Sequence, residues 1–151
     1  MKNILLSILV LFSLVIMNSC SGDISGTDTD VKELVIEICE DKIKDGLVYA
    51  FILSELQASP SVYNNPTYKQ VKYEVEKNLS KLFRPVLDSV DRKMERSNFS
   101  LRAIRIIKKE PELKEIECAA ELHSRDGNKI DITYTAQKTE DGYLYVEVFG
   151  L

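Results

Sequence analysis

Residues 115–149 read EIECAAELHSRDGNKIDITYTAQKTEDGYLYVEVF, and through most of this stretch apolar and polar side chains alternate. Because successive side chains of a strand point to opposite faces, this alternation predicts strands that bury one face. The pairs Asp126-Gly127 and Asp141-Gly142 interrupt it, and Asp-Gly is typical of hairpin turns. The stretch therefore predicts three antiparallel strands joined by two hairpins.

The alternation also assigns the two faces of each strand. The residues predicted to face inward are Ile116, Cys118, Ala120, Leu122, Ile130, Ile132, Tyr134, Ala136, Leu144, Val146 and Val148. The last strand directs three aromatic side chains outward, namely Tyr143, Tyr145 and Phe149. Exposed rings on a terminal strand are typical of a partner-binding face, because they supply a large contact area. The alternative is that the second helix or the loop over residues 57–67 covers them.

A fourth strand is predicted to precede these three. After Ser97-Asn98 the apolar period changes to two, and it slips at Ile104–Ile107 as a β-bulge would cause. Glu110-Pro111 then turns the chain into the next strand.

Residues 92–109 form a basic strip with seven basic side chains and one acidic side chain. If the first two strands pair, Arg102 faces Glu117 or Glu121, and the strip is neutralised across the sheet. The alternative is that the strip contacts anionic lipid headgroups or an acidic protein partner.

Upstream of the strands the apolar period is that of a helix. A stripe from Val31 to Ile43 predicts a helix over about residues 30–45. Residues 47–56, LVYAFILSEL, are apolar enough for either a continuation of this helix or a strand, and we favour the helix. The prolines and asparagines of residues 57–67 predict a loop.

A second helix is predicted from Tyr68, because apolar side chains recur every three or four residues as far as Met94. Pro85 lies inside this pattern and predicts either a kink or two helices, since proline lacks a backbone N–H and clashes with the preceding turn. The predicted fold is α+β, with two N-terminal helical segments packed on one face of a four-stranded antiparallel meander. The element order is similar to that of small cystatin-like and NTF2-like modules, and residues 31–151 form a single predicted domain.

The first 20 residues differ in composition from the rest of the chain. Lys2 precedes an apolar run over residues 4–17 that stops at Asn18-Ser19-Cys20. As a helix this run reaches about 21 Å, which is short of the roughly 30 Å hydrocarbon core of a bilayer. We therefore predict a signal peptide over residues 1–19.

With Cys20 placed directly after this run, the N-terminus resembles that of bacterial lipoproteins. The resemblance implies that residues 1–19 are removed and that Cys20 carries acyl chains that anchor the protein to a membrane. Residues 20–30 are predicted to be a flexible tether, and Ser21 after the cysteine implies the outer membrane, facing the periplasm. Residues 100–151 are similar to the ends of small proteobacterial lipoproteins that have a cysteine in the second strand.

Export also bears on the two remaining cysteines, Cys39 and Cys118. The periplasm is oxidising, and the cysteine count becomes even once Cys20 is lipidated. We therefore predict a disulfide between Cys39 and Cys118, which joins the first helix to a strand. The alternative is that both are buried free thiols.

Little in the sequence indicates catalysis. The net charge of −4 provides no electrostatic reason to expect nucleic acid, and no cofactor or metal site is predicted. The single histidine, His123, lies at a predicted strand end, and the chain lacks phosphate-binding, G-x-S-x-G and HExxH motifs. Glu115, Glu117 and Glu121 share one strand face, on which alternate residues lie about 6.6 Å apart, a carboxylate separation that glycosidases use, although a solvated face explains them without catalysis.

Together these features predict a lipid-anchored, non-enzymatic envelope protein that binds another envelope protein through its sheet face and last strand. An inhibitor, an immunity or exclusion lipoprotein, or an accessory subunit would fit. One alternative is a cup for a small ligand or lipid between the second helix and the sheet. A less favoured alternative is a wall-active hydrolase that uses the glutamates.

Overall fold

Three helices precede four strands in the computed structural model, which describes residues 24–151. The elements are α1 (Thr29–Glu55), α2 (Tyr68–Glu76), α3 (Arg84–Ser97), β1 (Ser100–Glu110), β2 (Glu115–His123), β3 (Lys129–Lys138) and β4 (Leu144–Phe149). Short 3-10 turns lie at Pro60–Tyr63 and Pro111–Leu113.

The strands form one antiparallel sheet in the order β1-β2-β3-β4, so β1 and β4 are its edges. Together with the helical layer, which packs against the sheet through α1, this arrangement confirms the predicted α+β class and the meander. Gly127 and Gly142 have positive φ angles of 88° and 84°, which explains why glycine follows aspartate in both hairpin turns.

The predicted faces of the strands are confirmed in β2, where burial alternates along the whole strand. Ile130 is the exception in β3, because it lies near the start of the strand and stays partly exposed. In β1 the register shifts twice, between Arg102 and Arg105 and between Ile106 and Lys108. These irregularities confirm the predicted slip, and they help to protect a long edge strand from pairing with another chain.

Helix α1 is continuous through Gly46, so residues 47–56 are helical as favoured. At 1.5 Å per residue its 27 residues span about 40 Å, which is long enough for the helix to contribute side chains to two separate hydrophobic cores. Its N-terminal half buries Val31, Val35 and Cys39 against the sheet. Its C-terminal half buries Val48 and Ile52 against α2 and α3.

The second predicted helix is two helices, α2 and α3, which confirms one of the two expected forms. The break comes before Pro85, at Asn78, whose φ of 54° is left-handed and ends the first helix. Pro85 lies in the first turn of α3, where a backbone N–H has no acceptor within the helix, so the missing N–H of proline costs no hydrogen bond. At the other end, Thr67 and Gln70 form a capping box that begins α2.

The predicted tether is shorter than expected, because residues 24–28 pack onto the domain. Ile24 belongs to the core cluster between α1 and the sheet, and the buried Gly26 accepts a hydrogen bond of 2.8 Å from the Tyr134 hydroxyl. The residues around Ile24 are small and polar, so the composition of this segment did not indicate that it packs on the domain. The predicted signal peptide (1–19) and Cys20 lie outside the described residues.

The disulfide predicted between Cys39 and Cys118 is not formed in the structure, where both residues are free thiols. Both are fully buried in the same core cluster, one on α1 and one on β2. Burial raises the pKa of Cys39 to about 11 and also raises that of Cys118, so both stay protonated at neutral pH. A disulfide between them in the exported protein stays a prediction.

Candidate protein-binding face of the sheet

The strand register arranges the outward side chains into rows that cross the sheet. One row runs Arg105, Ala119, Thr133 and Phe149, and a neighbouring row runs Lys108, Glu117, Thr135 and Glu147. We call the face that carries these rows the open face, because the core cluster with α1 lies on the opposite face. The open face therefore presents a different chemistry at each edge, basic on β1 and aromatic on β4.

The aromatic side chains of the last strand are exposed. The exposed fraction is 74% for Tyr143, 53% for Tyr145 and 51% for Phe149. The alternative that the second helix or the loop over residues 57–67 covers them is therefore wrong. The Tyr145 hydroxyl donates a hydrogen bond of 2.7 Å to Oε1 of Glu147, which orients this ring on the strand.

The three aromatic residues do not form one group. Tyr145 and Phe149 lie within β4, in register with Gln137 and Thr133 of β3. Tyr143 precedes the first paired residue of β4 and lies in the β3–β4 turn. Only Tyr145 and Phe149 therefore belong to the open face.

The open face carries a shallow depression of about 390 Å³. It is lined in part by Ala119 and Thr133, whose side chains are small, and by Gly150. Charged side chains of both signs surround it, among them Arg105, Glu121, Lys129 and Asp131. A shallow, polar depression beside aromatic rings suits the surface of another protein better than an enclosed small ligand.

On this face Glu121 contacts a lysine and a histidine. Its carboxylate is 2.6 Å from Nζ of Lys129 and 2.8 Å from Nε2 of His123. These two hydrogen bonds, with the Lys129 contact the larger, lower the pKa of Glu121 to about 2. Arg102 lies directly across from Glu121, which confirms the expected register, but Glu121 contacts His123 on β2 and Lys129 on β3.

Lys129 was not predicted from the sequence as a partner of Glu121. The hairpin at Asp126-Gly127 could have indicated this contact, because its register places His123 opposite Lys129 and Glu121 opposite Asp131. A lysine one strand away and two positions along is within reach of a diagonal contact. The basic strip of residues 92–109 is likewise partly paired, since Lys93 contacts Asp126 at 2.8 Å and Lys108 contacts Glu110.

We expect the Glu121 carboxyl to stay ionised down to about pH 2, because Lys129 and His123 stabilise the charged form. Its favourable contribution to stability is therefore complete above its ordinary pKa of 4.5 and is lost as the pH falls through about 2. An NMR titration of the side-chain carboxyl carbon measures this pKa directly. Lys129→Ala should return it toward 4.5, and Lys129→Arg should keep it low. An unchanged pKa in Lys129→Ala would contradict the assignment.

The three predicted carboxylates Glu115, Glu117 and Glu121 do share the open face. Glu121 is unsuited to act as a general acid, because a group with a pKa near 2 is not protonated at neutral pH. Among residues 24–151, no cluster of three or more His, Cys, Asp and Glu side chains could hold a metal ion. Within the same residues, no helix combines the length and the apolar character needed to cross a membrane.

Over residues 24–151, the fold and this face together define a small α+β domain whose sheet is covered by helix on one side only. Comparison of the chain with protein-family models, with curated proteins and with solved structures gives no match.

Proposed function

We propose that the protein is a lipid-anchored lipoprotein of the cell envelope that binds another envelope protein through the open face and has no enzymatic activity. The observation that carries the proposal is the pair of half-exposed rings, Tyr145 and Phe149, on an edge strand. The anchor is proposed from Cys20 and the apolar run before it. The proposed location is the outer membrane, with the domain in the periplasm.

The rings are well placed to act as binding anchors. Both lie on a strand whose inward neighbours, Val146 and Val148, are buried, so the backbone beneath the rings is held by the core. A partner that covers them buries aromatic area without ordering a flexible segment first. Charged residues of both signs line the depression on the same face, and they would form the polar rim of such a contact.

The open face is a better docking surface than the edge of β4. Helix α1 lies against β4, and Nζ of Lys42 donates a hydrogen bond of 2.9 Å to the Val148 carbonyl. One backbone acceptor of this edge strand is therefore already in use, which disfavours the addition of a partner strand there. We accordingly expect the partner to contact side chains of the open face.

The geometry favours this function over the two alternatives. Helices α2 and α3 pack mainly on α1 and on each other. A ligand-binding cup between the second helix and the sheet would need these elements to face one another, and they do not. A hydrolase would need a protonated acid beside a second carboxylate, and Glu121 does not supply one.

The proposal is tested by crosslinking in the native host. A photoreactive amino acid is placed at Thr135 on the open face, and the captured proteins are identified by mass spectrometry. We expect one stoichiometric envelope protein, with capture reduced by about tenfold or more in Tyr145→Ser/Phe149→Ser, because central aromatic residues carry most of the binding energy of an interface.

Tyr73→Ser is the matched control, since Tyr73 is also exposed but lies on α2, away from the open face. Its capture should equal that of the wild type. Capture of only abundant background proteins, or equal capture by both variants, would exclude the open face as the binding surface. Circular dichroism and the Tm of each variant show that the fold is retained.

A further inference from the structure

We propose that the end of the sheet formed by the β1–β2 and β3–β4 turns lies on the membrane, with Leu113 and Tyr143 in the lipid headgroup region. This inference rests on the proposed acylation of Cys20. It adds an orientation and a second interaction surface, distinct from the open face. We call this end the turn end.

The described chain begins at the turn end. Ile24 is buried, and it lines a cavity of about 150 Å³ together with Gly142 and Leu144 of the β3–β4 hairpin. Two positions later Gly26 is fixed to the sheet by the Tyr134 hydroxyl. The point at which the chain leaves the domain is therefore set by the core.

The segment that joins Cys20 to Ile24 is short. Cys20 lies four positions earlier, and four residues reach at most about 14 Å even when fully extended. Acyl chains on Cys20 would therefore hold the turn end within about 14 Å of the bilayer surface. A tether of 11 residues, as the composition alone suggested, would have left the orientation free.

The turn end presents apolar side chains suited to that surface. Leu113 is 53% exposed, and Tyr143 is 74% exposed, the largest value among the exposed large apolar and aromatic side chains of the described residues. The two turns are neighbours, because Lys138 donates a backbone hydrogen bond of 3.1 Å to Lys114. Tyrosine is favoured at membrane interfaces, since its ring is apolar and its hydroxyl stays hydrated.

The turn end is mildly acidic. The two turns, residues 111–114 and 138–143, hold three carboxylates and two lysines, and Asp28 and Asp30 beside Ile24 add two carboxylates. Electrostatic attraction to anionic lipid therefore contributes little, and two apolar side chains alone bind a bilayer weakly. We expect contact only when the anchor is present, with little dependence on salt.

This orientation leaves the open face accessible. The strands run from the turn end toward the opposite end of the sheet, and α1 extends about 40 Å from its start beside Ile24. Helices α2 and α3 pack on the distant half of α1 and so lie far from the bilayer. A partner can therefore reach the rings of β4 from the side.

The chain contains no tryptophan, which allows a single-indole test. Tyr143→Trp is made in the full chain, and the lipidated protein is reconstituted into phosphatidylcholine and phosphatidylglycerol vesicles with brominated acyl chains. We expect the indole at position 143 to emit at shorter wavelength and to be quenched by the bromines. Val62→Trp is the control, because Val62 is 70% exposed in the helical region far from the turn end. Its emission should not change.

The outcomes separate this inference from the proposed function. An unquenched indole at position 143, in protein whose Cys20 is shown by mass spectrometry to be acylated, would overturn the orientation and leave the anchor intact. Quenching at position 62 instead would also overturn it. If mass spectrometry finds no acyl chain, the anchor fails, and a thiol-reactive phospholipid is coupled to Cys20, since Cys39 and Cys118 are buried. Quenching at position 143 would then support the orientation, and its absence would refute it.

Discussion

Gly26→Ala is expected to lower the free energy of unfolding by about 1–3 kcal/mol, although it adds a single methyl group. A Cβ at this position would lie 2.4 Å from Sγ of Cys118 and 3.1 Å from the hydroxyl oxygen of Tyr134. The contact with Cys118 is too short to be accommodated without a shift, the contact with Tyr134 is tight, and both partners are fully buried. Chemical denaturation of the reduced mature protein measures the change.

Gly46→Ala is the matched control, and its effect should have the opposite sign. Gly46 lies inside α1, and a Cβ there would have no heavy atom within 4 Å. Alanine loses less backbone entropy than glycine in a helix, so we expect a gain of about 0.5–1 kcal/mol. Destabilisation by both variants would show that the response comes from replacing glycine in general.

The cause of the Gly26 effect can be isolated with a double variant. Cys118→Ala removes the sulfur atom that the new methyl group would meet. If the clash is the cause, the cost of Gly26→Ala should be clearly smaller in the Cys118→Ala background. An equal cost in both backgrounds would point to Tyr134 or to the backbone of residues 24–28 instead.

The second large effect is expected at Tyr134, the largest of the fully buried side chains. Tyr134→Ala should destabilise the protein by about 3–5 kcal/mol, because it leaves a cavity in the core between α1 and the sheet. Tyr134→Phe keeps the ring but removes the donor to the buried Gly26 carbonyl, and should cost about 1–2 kcal/mol. Thermal and urea unfolding measure both changes.

Tyr145→Ala serves as the control for Tyr134, because the same residue type on the same sheet is half exposed there. Its effect should stay within about 0.5 kcal/mol. Native-state hydrogen exchange provides a second readout, since loss of the Tyr134 hydroxyl should free residues 24–28 before the rest of the domain opens. A Tyr134→Phe variant with unchanged stability and exchange would contradict this account of the N-terminal segment.

The strands and their faces could be predicted because the period of two is a local property. Ile116, Cys118 and Leu122 alternate with charged or small residues, and only one orientation of such a strand buries the apolar set. The turns were equally local, since glycine after aspartate supplies the positive φ that they require. The same reasoning predicted that the second helix could be two helices, although the break lies at Asn78 and Pro85 falls in the first turn of α3.

Other features depended on which distant residues meet. The composition of residues 24–28 predicted a tether, yet Ile24 and Gly26 pack on β3 and the β3–β4 hairpin, more than 100 positions away in the chain. Glu121 was visible as an outward carboxylate, but its low pKa follows from Lys129 across the hairpin. The pattern that directed Tyr145 and Phe149 outward could not decide whether another element covered them.

Local alternation, turn residues and helix period were sufficient for the fold class, because they act over a few residues and each favours one backbone form. Tertiary packing decided how α1 divides between two cores, where the N-terminal segment is held, and that the rings of β4 stay exposed. Those outcomes depend on the competition among many possible long-range contacts for the same buried area. A short stretch of sequence does not show which distant residues it will contact, so these features are decided only when the whole chain packs.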